Sequence, residues 1–264
     1  MPGMLRIEPQ AGLCNRLRVL AAALALSART GQRLHVLWFR DRGLNCDFDR
    51  LFEVPSTFAR LTQLHRDRWY SHYYRQWLIR HSACHLEHAD VVQRGRRGRS
   101  FDDLASFPSV YLATHKMFLR DTSRFAAFVP VAELRRIIED VVRSFDKHMV
   151  GVHVRRGDNS RAAEQSRTAA YVRGMQEEIR RQPQTRFFLA TDSPEDERAL
   201  RRAFPNRILV YPKTSLDRNN PQAIREAVVD LLCLARTRRL LGSYWSSFSD
   251  TAARLGGIPR ITVE

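Results

Sequence analysis

From residue 149 onward, short apolar runs alternate with amphipathic stretches at a regular beat, and few folds accept that pattern. Strands are expected over 149–154, 186–191, 207–211, 239–242 and 260–263, with helices over 169–181, 194–203, 222–236 and 247–255. Repeated βα units of this length close into a parallel sheet covered by helices on both faces. The first half begins the same way. Leu5–Glu8 reads as a strand, the loop Ala11–Arg16 opens a helix running to about Thr30, Gly31 supplies a left-handed stop, and Leu34–Trp38 is a second strand. Val110–Ala113 returns as a strand and Val131–Phe145 has helical periodicity. The stretch 41–107 is less regular: Trp69, Tyr70, Tyr73, Tyr74 and Trp77 form one amphipathic helix, followed by the basic loop Arg94–Arg99. The expected class is α/β, with two Rossmann-like halves facing across a cleft, residues 1–130 and 131–264.

With 264 residues and 44% hydrophobic content, the chain can bury a substantial core. The start lacks a basic region followed by an apolar one, and Val19–Leu26 is far too short to span a bilayer, so a cytoplasmic protein is expected. Cys14, Cys46, Cys84 and Cys233 show no CxxC spacing, as expected for reduced thiols. The net charge of +16 points to anionic partners. Only Lys116, Lys147 and Lys213 of the 44 basic residues are lysine, a bias that high-GC coding produces. No aromatic interrupts Arg94–Arg99 for base stacking, which argues against a specific nucleic-acid partner. Anionic substrates, or an anionic membrane met at its inner face, account for the charge equally well.

The motifs fall at the carboxyl ends of expected strands, where open α/β sheets bind ligands. Val150-Gly-Val-His-Val-Arg-Arg-Gly-Asp158 is a period-two apolar run that ends in two arginines and an aspartate. Two forked guanidiniums there suit a pyrophosphate. Gly12-Leu-Cys-Asn-Arg16 joins a strand to a helix whose first N–H groups can face an anion, although Asn15 could be only an N-cap. Phe187–Asp192 leaves its strand with a Thr-Asp tip before Pro194, and Gly242–Ser249 supplies hydroxyls at a helix start; in both, capping is the competing reading. Asp230 lies inside an otherwise apolar helix and must find a partner.

In this order, the blocks Gly12–Arg16, Cys46–Phe52, His153–Asp158, Ala190–Pro194, Ala227–Leu232 and Ser246-Ser247 resemble the fucosyltransferase superfamily. That group includes rhizobial nodulation fucosyltransferases, animal α1,6-fucosyltransferase and protein O-fucosyltransferases. The resemblance implies a GT-B-like fold, a GDP-sugar donor held mainly by residues 131–264, a glycan acceptor on the side of residues 1–130, and inversion at the anomeric carbon. It also implies no obligatory metal and no cofactor beyond the GDP-sugar co-substrate. Gly12, Asn15, Arg16, His153 and Arg155 resemble donor contacts, with Arg155 on the β-phosphate. Arg156 is expected to pair with an acid such as Asp192, Asp230 to accept guanine N–H groups, and Ser246 or Ser247 to hold phosphate oxygens. Glu164 lies next to the position of the family's acceptor-activating Glu, which is Ala163 here, and Asp158 is the second candidate base. Residues 56–130 carry no such resemblance.

Two patterns compete with this reading. Asp47-Phe-Asp49 matches the DxD of metal-dependent transferases, although the apolar Leu51-Phe52 after it favours packing. His81, Cys84, His85 and His88 are spaced to share one helical face without a distant ligand to complete a zinc site. The alternative function is an inactive transferase-like fold acting as a basic RNA- or glycan-binding module.

Overall fold

Each half of the chain builds one five-stranded sheet in which every pairing is parallel. The computed structural model describes residues 2–157 and 165–264. Two units result, one of residues 1–131 with 217–224 and one of 132–216 with 225–264. A boundary drawn on sequence alone leaves 217–224 in the second half; by its contacts this segment groups with the first. The class is mixed α/β with two parallel sheets.

The first unit contains β1 (Met4–Pro9), β2 (Arg33–Arg40), β3 (Phe58–His65), β4 (Cys84–Leu86) and β5 (Ser109–Thr114), in the order β3-β2-β1-β5-β4. Helix α1 (Leu13–Thr30) forms because its Leu, Val and Ala side chains cover the sheet, and it stops where Gly31, at φ 70°, returns its N–H to the Ser27 carbonyl. Helices α2 (Trp69–Arg80) and α3 (His88–Arg96) follow. β3, β4 and α3 lack a clear sequence signal. β3 is an edge strand of half-exposed residues, and β4 is three residues long. Arg94 and Arg96 close α3 instead of starting a loop.

The second unit contains α4 (Ala132–Val142), β6 (Met149–Val154), α5 (Thr168–Arg181), β7 (Arg186–Thr191), α6 (Pro194–Ala203), β8 (Ile208–Leu209), α7 (Pro221–Leu234) from residue 225 onward, β9 (Leu240–Ser243), α8 (Ser247–Gly256) and β10 (Arg260–Val263). Its order is β10-β9-β6-β7-β8. Val150, Val152 and Val154 share one face with Tyr171, Met175 and Leu200, as period two requires. β8 is shorter than the expected 207–211, because Val210 and Tyr211 leave the sheet to line a cavity.

The two competing patterns are taken up by the fold in other ways. α2 ends at Arg80, Cys84 and His85 lie in β4, and His88 begins α3, so these four residues share no helical face. Asp47 begins a 3-10 turn and pairs with Arg40 at 3.3 Å, while Phe48 packs against Trp38, Phe52 and Phe58. Among the described residues no group of three or more His, Cys, Asp or Glu could hold a metal. Nor is any helix among them long and apolar enough to cross a membrane.

α8 ends against Ala235, so closely that a Cβ on Gly256 would overlap the Ala235 carbonyl oxygen. Gly256→Ala should therefore lower stability by about 1–3 kcal/mol in chemical denaturation, with an unchanged m value.

Candidate functional site

In the second sheet, the strands after β6 add on one side, β7 then β8, before the chain crosses to place β9 on the other. The carboxyl end of β6 is thus a topological switch point, the place where such sheets open a crevice. Two arginines stand there, and their environments divide their roles. Arg155 donates its backbone N–H to Ser243 Oγ at 2.8 Å and its Nη1 to Asp192 Oδ2 at 2.7 Å, with about a fifth of its side chain exposed. Arg156 turns elsewhere. Its Nε and Nη2 form a fork on Asp196 at 2.9 and 3.0 Å, Nη1 reaches the Ser166 carbonyl at 2.6 Å, and Nη2 reaches Thr168 at 3.3 Å.

The expected Arg156–Asp192 side-chain pair is therefore corrected. Asp192 takes only the backbone N–H of Arg156, at 2.8 Å, and gives its other oxygen to the Arg155 guanidinium. The side-chain partner of Arg156 is Asp196, in the first turn of α6. Burial raises the Asp196 pKa, but the hydrogen bonds from Arg156, Thr168 and Ser193 outweigh it and hold the group below its ordinary value. Gly157 makes the close approach possible, since a Cβ there would meet Asp192 Oδ2 at 2.7 Å. The candidate bases Asp158 and Glu164 lie outside the described residues.

His153 occupies the opposite face of β6. Its Nδ1 bonds Ser249 Oγ at 2.7 Å and its ring stacks on Phe248 at 4.7 Å. Burial, then the nearby Arg155, Arg260 and Lys213, push its pKa down to about 3, so the ring is neutral at physiological pH. Gly242 lets α8 approach, because a Cβ there would meet Ser249 Cβ at 2.7 Å. Ser246 is the N-cap of α8, buried, with its hydroxyl accepting from the Ser249 N–H, which is the capping reading. Ser247 is half-buried at the first helical position. Trp245 before them has φ 49°, an uncommon conformation for a bulky residue.

Asp230, on α7, is buried, and burial raises its pKa to about 6 against the pull of Lys213. Lys213 Nζ is 3.0 Å from Oδ2, while Oδ1 is buried without a hydrogen-bond partner. Lys213 also lines a cavity of about 430 Å³ at the ends of β7 and β8, with Thr191, Ser193, Tyr211 and Thr214. That volume falls within the range of small-ligand sites. Lys213 and Tyr171 carry no site signal in the sequence, which marks Ser243 and Ser249 only as hydroxyls of the Gly242–Ser249 block. A lone loop lysine carries no signal, and Ser243 and Tyr171 act through a contact that only the folded sheet creates: the Tyr171 hydroxyl is 2.6 Å from Ser243 Oγ.

Gly12, Asn15 and Arg16 belong to the first unit, at the switch point formed by β1 between β2 and β5. Gly12, not Asn15, is the N-cap of α1, and Asn15 is half-buried within the helix. Arg16 is wholly buried: it bonds the Ala11 carbonyl at 2.6 Å, the Phe39 carbonyl, and Asp41 at 2.7 Å, over the Trp38 ring. Burial lowers its pKa to about 10, with Asp41 opposing the shift. In the structure it ties the loop after β1 to the end of β2 and has no exposed surface.

No family model matches the chain, and no curated protein matches it by sequence. Solved structures do match. The chain resembles the NodZ α-1,6-fucosyltransferase co-crystallised with GDP, an enzyme of Bradyrhizobium, at TM-score 0.66 and 18% identity over 100% of this chain and 96% of that one. It resembles Arabidopsis thaliana FUT1 in complex with GDP at 0.65 and 16%, over 99% and 70%. POFUT1 in complex with GDP-fucose aligns at 0.61 and 12%, over 99% and 98%.

If the two arginines are divided as described, Arg156→Ala should destabilise the fold by about 2 kcal/mol or more, because it strands Asp196. Arg155→Ala should leave the thermal midpoint nearly unchanged. Thermal unfolding of the two variants side by side checks this. Across its whole described length the chain has the GT-B-like fold of fucosyltransferases.

Proposed function

We propose that the chain is an inverting glycosyltransferase that moves a sugar, fucose in the first instance, from a GDP-sugar to a glycan hydroxyl. The observation carrying this reading is the partly exposed Arg155 at the switch point of the second sheet, held in orientation by Asp192. The fold shared with enzymes solved with GDP and GDP-fucose supports the choice of donor.

In the proposed reaction the acceptor oxygen attacks the anomeric carbon from the face opposite the nucleotide. The bond from that carbon to the β-phosphate oxygen breaks, and its electron pair leaves with GDP. The acceptor proton passes to a carboxylate, Glu164 or Asp158. Charge developing on the β-phosphate would be met by the Arg155 guanidinium and the amino end of α8 at Ser246 and Ser247, each well-placed donor contributing on the order of 3 kcal/mol. No metal is required in this scheme. His153, neutral and bonded to Ser249, acts as a hydrogen-bonding wall and not as a titrating base. The unpartnered Oδ1 of Asp230 is the proposed acceptor for the guanine edge.

Arg155→Ala and Arg155→Lys should both abolish transfer from GDP-fucose, since an ammonium cannot reproduce the fork. Wild-type activity should persist in EDTA, and Asp47→Ala with Asp49→Ala should retain it; dependence of turnover on added Mn²⁺ would overturn the metal-free scheme. GDP at a hundredfold excess over Kd should stabilise the protein by about 2.7 kcal/mol, with ADP and UDP well behind. Salt-sensitive RNA binding without nucleotide selectivity would instead support a binding module.

Asp230 adds a pH dependence with a defined sign. Because its folded pKa is raised, the folded protein holds this proton more tightly than the unfolded chain, so stability declines as pH rises toward about 6. GDP binding requires the ionised acid and should show the opposite trend, weakening as pH falls through about 6. Asp230→Asn should lose roughly 1.5–3 kcal/mol of GDP affinity and flatten that dependence. Calorimetric titration of both proteins between pH 5 and 8, about the window of carboxylate and histidine switching, provides the check.

A further inference from the structure

The outer side of α2 carries an aromatic ridge that the first unit leaves uncovered. Trp69, Tyr73 and Trp77 follow one another at intervals of four residues and are 74%, 68% and 52% exposed, with Tyr70 beside them at 48%. The helix is firmly attached on its other side. Leu78, Tyr74 and Ile79 pack on Leu37, Phe39 and Tyr111, while Arg75 donates to Glu8 at 2.6 Å and to Glu87 at 2.7 Å. The ridge is therefore presented by an anchored helix. A contiguous exposed aromatic patch of this kind marks an interaction surface.

The surrounding charge selects the partner. Arg68 and Arg80 are exposed along the same segment, Arg66 beside them is held on Glu8, and Asp67 is the only acid between residues 66 and 81. The rings are also arranged in a telling way. Trp77 lies between Tyr74, stacked at 6.3 Å, and His81, at 4.5 Å, while Trp69 meets Tyr70 and Tyr73 edge to face. The His81 ring thus lies close on Trp77, where a base or a sugar ring would stack, with Tyr74 parallel and offset beside it. Inserting ring edges into an apolar layer needs no free face. A surface with dense negative charge over an apolar layer matches both features.

We propose that α2 docks the protein on an anionic lipid surface, lying parallel to it with Trp69, Tyr73 and Trp77 at headgroup level and the flanking arginines on lipid phosphates. The inference stands on the first unit alone and does not depend on the nucleotide reading.

Sedimentation with vesicles of phosphatidylcholine, with and without phosphatidylglycerol, tests it. The full chain should bind the anionic vesicles and release as salt rises. Replacing Trp69, Tyr73 and Trp77 together by Ser should weaken partitioning by about tenfold or more. Arg68→Glu with Arg80→Glu should also weaken it by about tenfold. Circular dichroism of each variant shows whether it is folded. Should either variant misfold, brominated phosphatidylglycerol vesicles should still quench tryptophan fluorescence of the unaltered chain, and of a Trp245→Phe chain equally. Absence of vesicle binding, equal binding by the folded variants, or no quenching would overturn the proposal. So would a ridge-dependent self-association, or ridge-dependent binding of single-stranded RNA or oligosaccharide, in a chain that ignores vesicles.

Discussion

The second unit is organised around a short ladder of opposite charges at the ends of β6 and β7. Asp192 accepts the Arg156 backbone N–H with one oxygen and the Arg155 guanidinium with the other, so a single carboxylate ties the exit of β6 to the exit of β7. Asp196, one helical turn later, takes the fork of Arg156 and the Thr168 hydroxyl, which ties α6 to the start of α5. Both acids sit near the amino end of α6, where Ser193 caps the helix, Pro194 begins it, and the backbone N–H groups favour negative charge. Two arginines adjacent in sequence and about equally exposed thereby acquire different partners: Arg156 forks on Asp196 and reaches α5, while Arg155 pairs with Asp192.

The first unit treats its charges differently. Glu8, fully buried at the end of β1, receives Arg66, Arg75 and the Tyr111 hydroxyl. Arg16 is equally buried and bonded to two backbone carbonyls and Asp41. Here the strand-end charges serve to close the structure. This contrast, an arginine wholly enclosed after β1 and one partly exposed after β6, supports placing the donor's phosphates on the second unit.

Legibility followed burial and clear boundaries. β6 and β7 were readable to the residue because their apolar runs are buried, as in Met149–Val154, while α6 was readable from Pro194 and its helix-forming charges, and β10, though a half-exposed edge, from the Gly-Gly and Pro before it. The half-exposed edge strands of the first unit were not: Phe58–His65 mixes Arg, Thr, Gln and His, and Cys84–Leu86 is too short to show any period. The same distinction holds at the strand ends. The positions of His153, Arg155 and Asp192 were readable because each sits where a periodic strand turns polar. The side-chain partner of Arg156 was not, since choosing Asp196 over Asp192 depends on how the first turn of α6 folds back toward Thr168. The burial of Arg16 was illegible for a related reason: a Gly-Leu-x-Asn-Arg loop looks alike whether its arginine faces solvent or the Trp38 ring.

The pairing of Asp230 shows how a single side-chain type can leave one oxygen of a buried acid without a partner. An acid inside an apolar helix needs a cation, and in a chain so rich in arginine the expected partner is a guanidinium. A guanidinium would satisfy both oxygens at once through its parallel N–H groups and close the carboxylate off. The residue present is Lys213, whose ammonium is a point charge and reaches only Oδ2 at 3.0 Å. Oδ1 is left buried without a donor, a cost the folded chain bears and that a ligand N–H could relieve. Since Lys213 also lines the cavity beside Thr191 and Tyr211, the group that stabilises the acid stands where an incoming base would displace or share it.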